Sequence, residues 1–220
     1  MRKSLLLLAA LAVVLLSAVV YLELRPDAAA EADQPEAKAV LRNAAGSRVG
    51  HIKFAQDGDL TKVKVVIDAP LTSLSAGFHG FHVHAVGSCV ADPNQPETTW
   101  FTSAGGHFKD ADPAHAYHGS HNGDLPVLLV SDNGEGRGTA QARFTTDSFT
   151  VADIAGRALI VHKLPDNYRN IPLGGGATPT PTAYQPVTDD VNNSATATGL
   201  TAATGNAGPR HACGVIVGDD

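Results

Sequence analysis

The chain is expected to be an all-β protein, a sandwich or barrel of eight strands, and three observations lead there. Short runs rich in β-branched and aromatic residues recur along it, turn residues bound them, and no stretch holds a long 3.6-residue hydrophobic period. The runs fall at residues 37–42, 48–55, 60–69, 78–86, 125–130, 137–145, 158–163 and 212–217. Asp57-Gly58-Asp59 and Asp132-Asn133-Gly134-Glu135-Gly136 are hairpin-type connections. Their glycines lack the strand-to-helix setting of a phosphate cradle. Two long stretches interrupt the meander. Residues 87–124 hold most of the remaining histidines, and residues 164–210 are rich in Gly, Pro, Thr and Ala. Loops of that length in a compact domain are functional or mobile. Mobility is expected at residues 174–202.

The N-terminus has a different character. Arg2 and Lys3 precede an uncharged apolar run from Leu5 to Leu22, the layout of a secretory signal, although the run approaches the length of a membrane span. Residues 1–30 are therefore a signal peptide or an N-terminal membrane anchor. Residues 31–36 are a linker, and residues 37–218 form the folded domain. The expected location is outside the cytoplasm: extracellular, cell-envelope or periplasmic, with a membrane tether if the anchor is retained. Export makes the two cysteines, Cys89 and Cys213, a disulfide pair. A net charge of −6 and the absence of any Lys/Arg run argue against nucleic acid as a partner.

The chemistry lies in the ten histidines. In Phe78-His79-Gly80-Phe81-His82-Val83-His84, alternation along a strand puts His82 and His84 on one face, aiming two imidazoles at one point. His107, His115, His118, His121 and Asp124 follow, and His162 ends another β-like run. If His82, His84, His107 and His162 converge, the all-nitrogen set suits Cu(II). If His107, His118, His121 and Asp124 converge, three nitrogens and a carboxylate suit structural Zn. His107 then belongs to both sets as an imidazolate, which two cations make feasible.

The motifs Gly80-Phe81-His82-Val83-His84, Ser103-Ala104-Gly105-Gly106-His107-Phe108, His121-Asn122-Gly123-Asp124-Leu125, Val161-His162 and Thr204-Gly205-Asn206-Ala207-Gly208-Pro209-Arg210-His211-Ala212-Cys213-Gly214-Val215-Ile216 together resemble the copper,zinc superoxide dismutases of the exported bacterial type. The resemblance runs in order from about Ala37 to Val217. It implies an eight-stranded Greek-key, immunoglobulin-like β-sandwich or barrel with two long functional loops. It also implies copper on His82, His84, His107 and His162, and zinc on His107, His121, Asp124 and a histidine between. His118-Gly119 resembles the family's His-Gly better than His115 does. Asp166 matches a carboxylate that braces ligands of both metals, Arg210 the guanidinium that holds the anion, and Cys89 and Cys213 the intrasubunit disulfide.

The implied activity is dismutation of superoxide to O2 and hydrogen peroxide, with one copper and one zinc per chain and with Arg210 and His107 in catalytic roles. Residues 164–210 depart from the family: beyond Asp166 and Arg210 they carry only Arg169, Asp189 and Asp190 as charges, so the usual charged guidance is in doubt. His79 is expected to brace a strand, His51 to lie on a strand surface, and His211 to pack. Two rivals are an exported copper- and zinc-binding module without turnover and a copper-only enzyme. The sequence leaves homodimer and monomer both open.

Overall fold

The structure, a computed structural model, describes residues 34–112, 118–168 and 204–218. Among these are nine antiparallel strands: β1 (Glu36–Asn43), β2 (Arg48–Asp57), β3 (Leu60–Pro70), β4 (Gly77–His79), β5 (Phe81–His84), β6 (Leu128–Asp132), β7 (Arg137–Thr146), β8 (Ala158–His162) and β9 (Arg210–Gly218). They hydrogen-bond in the order β4-β6-β7-β3-β2-β1-β9-β8-β5. β1 to β3 form a meander, whereas β7 returns to β3 and the last strand to the first, as in a Greek key.

The ninth strand arises because the run at 78–86 divides at Gly80. Its first half pairs with β6 and its second half with β8, the two ends of the sheet order, so one bent segment nearly closes the barrel. Closure removes the unpaired edges that invite association. A Cβ at Gly80 would meet the His82 ring at 3.0 Å and the Ala207 methyl at 2.6 Å, so the bend and the placement of the His82 ring both need glycine there. The turn at Gly58 joins β2 to β3, and the Asp132–Arg137 turn joins β6 to β7, as expected. Short helical elements have no counterpart in the strand reading: 3-10 turns at Glu97–Thr99 and Thr102–Ala104, and a single α-helical turn, Val151–Ile154, opened by a capping box between Thr150 and Asp153.

Alternation fills the barrel. Leu41, Ile52, Phe54, Val65, Ile67, Phe81, Val83, Leu159, Val161 and Ile216 point inward and are fully or almost fully buried. β5 and β8 are buried on both faces, because the long loop after β5 covers their outer side. Phe101 and Ala104 of that loop pack on Ala158, Ile160 and Cys213, with Trp100 and Cys89 beside them.

The Cys89–Cys213 disulfide fastens the loop to β9 across 124 residues. In the chain-entropy model a closure of that size stabilises by roughly 4 to 5 kcal/mol. Cys89→Ser is expected to lower the unfolding free energy by about that amount in denaturant titration; a loss below about 1 kcal/mol would mean that the loop is held by packing alone. Residues 1–33 and the expected mobile stretch 174–202 lie outside the described residues.

Candidate metal centre

Because Phe81 and Val83 face the core, His82 and His84 face outward, and β8 places His162 on the same outer surface, where its N–H bonds the Gly80 carbonyl at 2.8 Å. The free side of β5 is taken up by two loop segments. Isolated bridges join His84 to His107 and His82 to Asp124, which brings the central histidine of one motif and the carboxylate of another onto the strand. Ligand atoms of His82, His84, His107 and His162 lie within 4.8 Å of one another. His107, His118 and Asp124 form a second group with His82 at the same tolerance. All these histidine rings are nearly inaccessible to solvent.

The hydrogen bonds decide which nitrogens are available. A carbonyl only accepts, so His84 donates from Nδ1 to Gly105 O at 3.0 Å and His162 from Nδ1 to Gly208 O at 3.0 Å. Each therefore presents a bare Nε2, and the two bare nitrogens face each other at 3.4 Å. His82 gives Nε2–H to Asp166 at 2.6 Å, which leaves its Nδ1 buried and unpartnered. His107 gives Nδ1 to Asp124 at 2.8 Å, and its Nε2 is likewise buried without a partner. Four lone pairs thus converge with no donor among them. Buried polar atoms left this way are costly, and a soft-to-borderline cation satisfies all four at once.

On the other side of His107, the His118 Nδ1 lies 3.2 Å from His107 Nδ1 and 3.1 Å from Asp124 Oδ1. His121 Nδ1 stands 3.4 Å from Asp124 Oδ2, beside this group, whose fourth member is His82. Asp166 links the two groups, since its carboxylate accepts from His82 at 2.6 Å and from His118 at 2.7 Å. The carboxylate is packed against Gly205, where any Cβ would fall 1.9 Å from Asp166 Oδ1, at a backbone φ of +61°. Tyr168 completes the support. Its N–H donates to Asp166 at 2.7 Å, its hydroxyl bridges Leu125 O and Val127 N, and its ring stacks on His118.

Burial keeps the first group unprotonated. Burial, and then the neighbouring rings, hold His84 and His162 well below the usual imidazole range. Burial and then His82 push His107 down to about 3, against the pull of Asp124. His118 moves the other way: burial opposes its charge, but hydrogen bonds to Asp124 and Asp166 outweigh it and raise the ring to about 9. With Nε2 committed to Asp166, the extra proton sits at Nδ1, where a cation competes for it. Asp166, opposed by burial but favoured by His118 and His82, falls to about 2, and Asp124 is held far below the usual carboxylate range.

Arg210 lies across from His162 in the β8–β9 pair, and its guanidinium donates to the carbonyls of Phe101 and Gly105. Gly105 O therefore receives both His84 and Arg210, fixing the cation beside the all-histidine group. His79 braces the His162 backbone, with ring nitrogens 2.8 Å from His162 O and 3.0 Å from Ser75 O. His51 lies on the outer sheet face beside Arg48, and His211 lies near the Trp100 ring. His115 is outside the described residues. Neither the roles of the Gly105 and Gly208 carbonyls nor that of Tyr168 was legible in the residue pattern. Carbonyls carry no residue-type signal, although the glycine-rich surroundings of both marked tight backbone.

Metal analysis ranks the two candidate loop histidines. His118→Ala is expected to lose most bound zinc, because a closed tetrahedral site tolerates an open position poorly, whereas His115→Ala retains it. The reverse order moves the ligand to His115.

A nearly closed antiparallel barrel with two adjoining imidazole-rich groups on its outer wall defines a metal-dependent β-barrel protein. The chain matches the family described as copper/zinc superoxide dismutase over residues 48–216. It is 36% identical over 140 residues to the superoxide dismutase [Cu-Zn] of Photobacterium leiognathi, covering 60% of this chain and 75% of that protein. The same-named protein of Mycolicibacterium paratuberculosis is 34% identical over 196 residues, 86% of this chain and 77% of the relative. That of Deinococcus radiodurans is 31% identical over 158 residues, 67% and 82% of the two chains. The chain belongs to the copper/zinc superoxide dismutase family, an oxidoreductase family whose reaction is superoxide dismutation with copper and zinc as cofactors.

Proposed function

We propose that this dismutase is exported and protects the cell exterior from superoxide, with copper held by His82, His84, His107 and His162 and zinc by His107, His118, His121 and Asp124. The observation that carries the assignment is the orientation of His107, whose Nδ1 is turned to Asp124 and His118 while its Nε2 is buried and unpartnered among His82, His84 and His162. His82 is assigned to copper alone, because its Nε2 is committed to Asp166; His121, beside Asp124, completes the zinc set.

When bound, copper supplies alternate one-electron oxidation and reduction of superoxide, and zinc supplies fixed charge and structure. Two superoxide anions and two protons give one O2 and one hydrogen peroxide. Arg210 attracts and orients the anion with a charge that never titrates away. His107 holds a proton at Nε2 in one half of the cycle and gives it to peroxide in the other. Asp166 fixes the His82 and His118 rings, and Tyr168 and Gly205 fix Asp166. Export is supported by the disulfide, which persists in oxidising compartments, and by the charged and apolar order of residues 2–22.

The test is metal content and turnover on one preparation. The expected result is one copper and one zinc per chain with superoxide decay far above the spontaneous rate, lost on chelation and restored by copper. Two bound metals without accelerated decay would make the protein a binding module. Mass spectrometry of the envelope fraction is expected to find the protein processed near residue 30 or retained with its apolar run; recovery in the cytoplasm alone would overturn export.

A further inference from the structure

The strand register assembles a cationic row that has no counterpart in the metal centre. Lys38 of β1 is directly opposite Lys53 of β2, Lys53 opposite Lys64 of β3, and Lys64 opposite Arg143 of β7. All four are exposed on the outer face, since their neighbours Ala37, Ile52, Val63 and Ala142 turn inward. Like charges directly opposite one another destabilise a sheet. Three successive such pairs, in a chain with a net charge of −6, therefore oppose the fold and ask for another reason.

Among the described residues Lys53, Lys64 and Arg143 have no ion-pair partner, and they line one shallow groove with Lys62 and Glu36. Lys62 is spoken for by Asp57 at 2.7 Å. The field is felt one residue row away, where burial first, and then Arg48, Lys53 and Lys64, lower the His51 ring. In the sheet order the row occupies β1, β2, β3 and β7, whereas the histidine groups sit on β5 and β8.

We propose that this row docks a linear acidic polysaccharide laid across the strands. Strands lie about 4.8 Å apart, so Lys53, Lys64 and Arg143, one per strand, span roughly 10 Å at a spacing close to the length of one sugar unit. The outer wall of a barrel is convex, so a planar lipid surface reaches few members of the row at once, whereas a chain follows it. Single-stranded nucleic acid is disfavoured because base binding uses exposed aromatic platforms: Phe54 and Phe144 of the adjoining row pack on the core, and the outward ring beside the cations, His51, is tied to Arg48 at 3.1 Å.

The test uses the full chain and polygalacturonate, with dextran as the uncharged control and phosphatidylglycerol vesicles and a single-stranded oligonucleotide as competitors. The wild type is expected to bind polygalacturonate in a salt-sensitive way and to ignore dextran. Lys53→Glu/Lys64→Glu is expected to weaken that binding by at least about tenfold while leaving dismutase activity unchanged. Lys64→Gln is expected to raise the melting temperature by relieving like-charge opposition. Equal binding by the charge-reversed variant, equal binding of dextran, or tighter binding of vesicles or oligonucleotide would each overturn the proposal.

Discussion

His107→Ala is expected to abolish superoxide turnover and to lower the content of both metals, the largest single loss any one side chain should cause. His107 is the one ring with both nitrogens turned toward ligand groups: Nδ1 lies 2.8 Å from Asp124 and 3.2 Å from His118 Nδ1, and Nε2 is buried with no partner. Its removal opens both groups together. Loss of a residue that only orients a ligand costs about 10- to 100-fold in metal affinity or activity, so loss of a shared ligand is expected to cost at least that much at each site. The same variant discriminates between roles. If zinc falls while copper and turnover stay near normal, the ring belongs to zinc alone; near-normal decay of superoxide with both metals bound removes the bridging assignment. Paired measurement of metal content by mass spectrometry and of superoxide decay by stopped flow reads both quantities. Asp166→Asn is the useful companion. It keeps the shape but weakens acceptance from His82 and His118, so its effect should be smaller and shared between the metals.

The strands were legible because alternation is a property of side chains. β3 carries Val63, Val65 and Ile67 inward and Lys62 and Lys64 outward, and the same pattern can be read directly from the letters. The break at Gly80 was not legible, since one glycine in an apolar run is equally at home in a continuous strand; the need for it appears only when the His82 ring and Ala207 are seen beside it. Candidate ligands were legible by residue type, and the resemblance supplied their grouping. Spacing alone left His115 and His118 level, because a loop imposes no period. For His118 the structure adds hydrogen bonds to Asp166 and the approach to Asp124, contacts with residues 48 and 6 positions away, whereas His115 lies outside the described residues. The cationic row shows the limit most plainly. Lys38, Lys53, Lys64 and Arg143 form no run in the chain, yet pairing across four strands makes them neighbours. Absence of a Lys/Arg run therefore excluded a linear basic segment and nothing about a basic surface.

Arg210→Ala is expected to leave copper and zinc bound and to slow superoxide consumption roughly tenfold, which corresponds to about 1.4 kcal/mol of lost transition-state stabilisation. The size follows from charge. A unit pair 4 Å apart is worth about 1 kcal/mol in water and about 4 kcal/mol near a protein surface of lower dielectric, and a partly buried guanidinium lies between those limits. Position makes that charge useful: Arg210 is opposite His162 across the β8–β9 pair, and its two terminal nitrogens are held by the carbonyls of Phe101 and Gly105, the second of which also holds His84. An ammonium cannot reproduce that planar two-point grip, so Arg210→Lys should retain part of the attraction and lose the orientation, falling between wild type and alanine. Arg210→Glu should be slower than alanine because it repels the anion at the point of reaction. Inhibition by azide should weaken in the same order, since a small anion reads the same field. Raising ionic strength should shrink the difference between the glutamate and alanine variants, because salt screens a partly exposed charge. If the glutamate variant consumes superoxide at the wild-type rate at low salt, Arg210 does not guide the anion, and the attraction must come from charges elsewhere on the long loop that ends at β9.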